Sequence, residues 1–74
     1  MLTINSKVKD IIANDEAYAI LHKYMPLMDR EDPRVYQQAG NMSLKALLAF
    51  PATKCPRKTQ QAIADELEEA EIEG

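Results

Sequence analysis

The chain has 74 residues, 46% of them apolar and 28% charged, with a formal net charge of −3. That length lies near the lower limit for a core that closes without staples, and the balance is that of a folded chain rather than a disordered one. One cysteine and one histidine exclude an intramolecular disulfide and a Cys/His metal cluster, and the absence of tryptophan leaves aliphatic side chains and methionine to build the core.

There is room for one domain and no second. The opening Met1-Leu2-Thr3-Ile4-Asn5 lacks the basic start and apolar run of a signal peptide, and no stretch approaches the roughly 20 apolar residues of a membrane span. A soluble protein of reducing, cytoplasmic space is therefore expected. Leu2–Ile4 is the only alternating segment, and the expectation is an extended piece docked on helices. Ser6 is read as an N-cap, with Val8, Ile11 and Ile12 following at helical spacing. Asn14-Asp15 interrupts this short helix, and either residue can cap the next. The second helix offers Ala17, Ile20, Leu21 and Tyr24 as its inner face. Pro26 ends it near Tyr24, because the residue before a proline avoids the helical region.

Residues 27–41 are the least regular part. Asp32-Pro33 predicts a restart, with Asp32 as cap and Pro33 in the first helical position, for a turn or two before Gly40. Ser43 caps the clearest helix of the chain. Met42 and Leu47 stand at the spacing of a hydrophobic staple; Leu44, Leu47 and Leu48 form the buried stripe, and Pro51 stops the helix at about Phe50. A last helix starts at Thr59 or in the Pro56 region, with Ile63, Leu67 and Ala70 as a thin apolar stripe and Ala64 and Ile72 to either side.

That last helix is charged against its own dipole. Lys54, Arg57 and Lys58 stand at its start, and six of the twelve acids crowd residues 65–73. A macrodipole favours the reverse, and each end opposes it by a few tenths to about 1 kcal/mol. Burial of Ile63 and Leu67 must hold the helix, with the acids as a soluble end; alternatively, the two charged ends meet opposite charges on a partner. The remainder of the chain carries nine bases against six acids, a net of +3. The overall negative balance argues against nucleic acid or an anionic membrane as main partner.

Few residues carry chemistry. His22 is alone, and a general base needs a partner and an orienting group, so it reads as a boundary residue. Cys55 sits among cations near a helix start, which would lower its pKa; the alternative is a small residue filling a loop. Lys54, Arg57 and Lys58 form a candidate anion site without a glycine-rich loop. The acidic run has no calcium-loop spacing. Met25, Leu27 and Met28 beside Tyr24 are core if buried and an adaptable sticky surface if exposed. Gly40-Asn41-Met42-Ser43-Leu44 resembles the Gly-x-Asp-Ser-Leu of acyl carrier proteins, where the serine carries phosphopantetheine. Met42 replaces the aspartate and Lys45 departs from the acidic pattern, so Ser43 is better explained as a cap.

A wider resemblance rests on Leu2-Thr3, on Val8/Ile11/Ile12, on Ala17/Ile20/Leu21/Lys23/Tyr24/Pro26 and on Met42/Ser43/Leu44/Leu47. In that order these positions resemble a small helical module found at the C-terminal end of bacterial glycoside hydrolases and related carbohydrate-active enzymes. The likeness covers about two thirds of the chain. More distantly, the first half resembles a helical domain of unknown function linked to hybrid-cluster and iron–sulfur proteins; that family carries a CxxC-like pair, which is missing here, so no metal role is carried over. The first resemblance implies a non-catalytic accessory module packed on a larger domain.

The sequence therefore predicts an all-α fold, an irregular orthogonal bundle of four or five short helices. The expected function is a non-catalytic accessory or protein-interaction module of bacterial origin, without cofactor or metal, whose partner is a protein or a larger parent enzyme domain. Tyr24, Met25, Leu27 and Met28 are the expected contact surface, and Lys54, Arg57 and Lys58 the expected anion-binding patch. Readings of a different kind are an acyl-carrier-type protein modified on Ser43 and a small helical nucleic-acid-binding domain.

Overall fold

A computed structural model describes residues 1–73. Five α-helices follow in order: α1 (Val8–Ala13), α2 (Asp15–Tyr24), α3 (Pro33–Ala39), α4 (Leu44–Ala49) and α5 (Arg57–Ala70), with a 3-10 turn at Pro51–Thr53 between the last two. The fold is all-α, and the described residues contain no strand, only an isolated antiparallel bridge between Lys7 and Ser43.

Local chemistry starts most of these helices. Asn14 caps α2, its side-chain oxygen accepting from the N–H groups of Glu16 and Ala17, both at 3.0 Å. Asp15 and Glu16 in the first turn and His22 and Lys23 in the last suit the dipole. Asp32 caps α3 by accepting from Arg34 N–H at 2.9 Å, with Pro33 in the first turn. Ser43 caps α4 by accepting from Ala46 N–H at 3.1 Å.

The start of α1 departs from the expected Ser6 cap. Ser6 Oγ instead accepts from Thr3 N–H at 3.0 Å within the N-terminal turn. The first donors of α1 go to another part of the chain: Val8 N–H to Met42 O at 2.8 Å and Lys9 N–H to Gly40 O at 3.0 Å. In return, Leu44 N–H of α4 donates to Ser6 O at 2.8 Å, and Lys45 N–H to Ile4 O at 2.7 Å. Two helix starts thus cap each other through backbone carbonyls, satisfying donors that a helix leaves open. Gly40 ends α3 where a Cβ would run into the carbonyl oxygen of Tyr36 in its own helix, while Lys9 of α1 would be at ordinary contact distance.

α5 starts at Arg57, with Pro56 before it and no side-chain cap; Thr59 lies inside the helix. Its first turn holds no acid and its last turn no base, so burial must carry it. Ile63 and Leu67 are fully enclosed and pack with Val8, Ile11, Leu21, Leu44 and Leu48 in one cluster. Glu71 turns the chain through a left-handed conformation (φ 49°), and Ile72 folds back into the core. Leu2 is buried too, its N–H bonded to Ile72 O at 2.8 Å. The N-terminal segment therefore docks on the helices, as its alternation predicts. The Cα radius of gyration, 10.8 Å, matches the roughly 11 Å of a closed domain of this length.

Candidate interaction surface

The irregular stretch between α2 and α3 is tied down by two residues. The Tyr18 hydroxyl donates to Met28 O and accepts from Arg30 N–H, both at 3.2 Å. The Arg30 guanidinium lies 4.6 Å from the Tyr18 ring centre and pairs with Asp15 at 2.6 Å, which holds its proton more firmly than usual. Met25 and Met28 are half-buried against the core, while Leu27 stands out at 95% exposure. Tyr24 faces elsewhere, its hydroxyl donating to Glu66 of α5, which also pairs with Lys23 at 2.5 Å. The four residues expected as one contact surface are therefore divided among a helix contact, the core and a loop tip.

Met28 reaches a second place. With Val35, Ala39 and Leu47 it lines a shallow groove of about 320 Å³ between α3 and α4, with Asp32 and Arg34 at its edge. A neighbouring groove of about 390 Å³ shares Gln38, Ala39 and Leu47 and adds Met42, Phe50 and Thr53. The two meet at Gln38, Ala39 and Leu47 and together make a mostly apolar channel along the α3/α4 face. Phe50 ends α4 and is 55% exposed, and Tyr36 on α3 is 57% exposed. The turn after α4 fixes Phe50: Thr53 Oγ1 donates to Leu47 O at 2.7 Å, and Thr53 N–H to Phe50 O at 3.0 Å. The Met42–Leu47 pair packs against the core and also lines this channel. Asp32, held below the usual carboxylate range by the Arg34 side chain and its N–H group, supplies the polar edge.

Lys54, Arg57 and Lys58 are all exposed. Lys54 closes the 3-10 turn in a left-handed conformation (φ 54°), and the other two open α5. Of the three, only Arg57 lines a wider groove between α4 and α5, where Lys45 stands with it. Cys55 is half-buried, and burial pushes its thiol above the ordinary value. The lowering expected from nearby cations is overturned, because desolvation disfavours the thiolate. His22 lies edge-on to Tyr18, with ring centres 5.3 Å apart. Among the described residues no three of His, Cys, Asp or Glu come together as metal ligands, and no helix is long and apolar enough to cross a membrane.

The α3/α4 channel was not foreseen. Phe50 and Val35 read in sequence as a helix end and part of a turn or two, and the face they share appears only once α3 and α4 are placed side by side. Lys45 likewise carries no signal linking it to Arg57. In comparisons with known proteins, no family model, no curated protein and no solved structure matches this chain.

Proposed function

We propose that the chain is a non-catalytic interaction module that receives an apolar segment of a protein partner in the α3/α4 channel. The observation behind this reading is that Met28, Val35, Leu47 and Met42, packed against the core on one side, line the grooves of the α3/α4 face on the other, with the exposed Phe50 at their end. Apolar side chains left together on a surface favour burial by a partner, and methionines adapt to its shape. Each displaced titratable side chain other than Cys55 owes its shift to an ion pair or hydrogen bond that ties one piece of the fold to another, or to its own helix cap. That is the pattern of a scaffold more than of an acid–base pair. The resemblance to accessory modules agrees with this reading and adds a bacterial carbohydrate-active enzyme as the context to look in.

A photo-crosslinking residue placed at Phe50, and separately at Asp10 on the α1 side, tests the proposal in the native cell. Adducts to a discrete protein from position 50, absent from position 10 and lost on Leu47→Asp with helicity retained, are expected. Equal adducts from both positions, or none from position 50, remove the channel as the docking face.

A further inference from the structure

Part of the reversed charge order of α5, Arg57 at its start and Glu68 near its end, lies on one stripe. Arg57, Gln61, Ala64 and Glu68 recur at alternating steps of four and three residues, and Glu71 stands in the left-handed turn just past the helix end. Such spacing keeps residues on one face of a helix. All are exposed except Ala64, which is half-buried. Beside this stripe runs the groove of about 790 Å³ between α4 and α5, with Ile4, Ala49 and Ala64 as apolar lining and Lys45 and Arg57 as its cations. No acid lines it, and neither cation takes part in an ion pair among the described residues.

We propose that this face is a self-association surface: a second copy of the chain lays its own α5 antiparallel along the stripe, across a two-fold axis through Ala64. An antiparallel register centred on Ala64 places Arg57 beside the turn that ends the partner's α5, where Glu71 stands, and Gln61 between positions 64 and 68 of that helix. The basic end with Lys45 then meets the acidic end of the other copy, and the contact occurs twice, as two-fold symmetry requires. An unrelated acidic segment would account for the cations alone, whereas a second copy accounts for both ends of the helix. Each set of charges that opposes its own dipole comes to lie beside the opposite end of the neighbouring one. Alanine at the centre lets the backbones approach, since interaxial distance follows the side chains at the contact. One helix face is a small interface, below about 1,200 Å² in total, so the association is weak and salt-sensitive.

Sedimentation equilibrium at low ionic strength tests this. Wild type is expected to show a reversible dimer that weakens at least about tenfold in high salt. Lys45→Glu/Arg57→Glu and Glu68→Lys/Glu71→Lys should each abolish self-association while keeping the wild-type circular dichroism, and mixing the two should restore a 1:1 dimer. Phe50→Asp, on the α3/α4 face, should leave it unchanged, which separates this surface from the channel. Monomer mass up to about 1 mM protein, or a dimer indifferent to these reversals, overturns the proposal; so does a monomer that binds a poly-glutamate peptide through Lys45 and Arg57, which would assign the groove to an acidic partner.

Discussion

Glu66 accepts from two side chains of a different helix, Lys23 and Tyr24. Its carboxyl is held below the ordinary 4.5, first by Lys23 and then by Tyr24. The same bonds raise Tyr24 above 10.0 and Lys23 above 10.5. A depressed carboxyl contributes stability above its unfolded value and loses it as pH falls through the folded one; the raised groups contribute below their ordinary values and lose it as pH rises beyond them. The α2/α5 link should therefore be flat across neutral pH and weaken below 4.5. Urea midpoints of Glu66→Gln should lie below wild type at neutral pH, with the gap narrowing in acid; a constant gap would mean that the carboxylate charge is not what joins the helices. Gly40→Ala is a separate test at this scale. Its φ of −55° is ordinary, so the residue is demanded by space alone, and the clash with the Tyr36 carbonyl should cost about 1–3 kcal/mol.

Single elements show where sequence reading succeeds. Asn14, Asp32-Pro33, Ser43 and Pro51 act within a turn of their own position, so their meaning is local and visible in the chain. The start of α1 is closed by carbonyls more than thirty residues away, and backbone pairing at that distance has no side-chain signature. Ser6 was legible as a capping residue type but not as one whose oxygen is used elsewhere. The channel escaped for the same reason, since it depends on which elements become neighbours. Two predictions separate the cases. Ser43→Ala should cost about 1 kcal/mol in denaturant unfolding, whereas Ser6→Ala should cost clearly less, because the α1 donors keep their partners. Lys54→Gly should stabilise by up to about 1 kcal/mol, since the left-handed backbone at that position disfavours a side chain while glycine adopts it freely, at some cost from greater freedom in the unfolded chain.

At the scale of the molecule, one aliphatic cluster carries the fold. A chain of this length is stable by about 4–11 kcal/mol on a per-residue basis. Removing the side chain of a fully enclosed aliphatic residue costs about 2–5 kcal/mol. Leu21→Ala or Ile63→Ala should therefore consume a large share of the total, lowering the urea midpoint with little change of slope. That the all-α class was readable from Val8, Ile11, Ile12, Leu44, Leu48, Ile63 and Leu67 follows from the same fact: these side chains announce the helical period and then fill the core. Ile72, which sequence placed beside the stripe, enters only because the turn at Glu71 sends it back.

The hydrogen bond from Leu2 to Ile72 brings the start and the finish of the described chain to one spot on the surface. A few glycines could bridge that spot and make the polypeptide a ring, because termini that lie close together tolerate such rewiring. Cutting the ring between Pro26 and Leu27, ahead of the Tyr18 anchor on Met28, should yield a permuted protein with the parental helicity. For the same reason, the whole unit can be let into a loop of a host enzyme without pulling that loop apart.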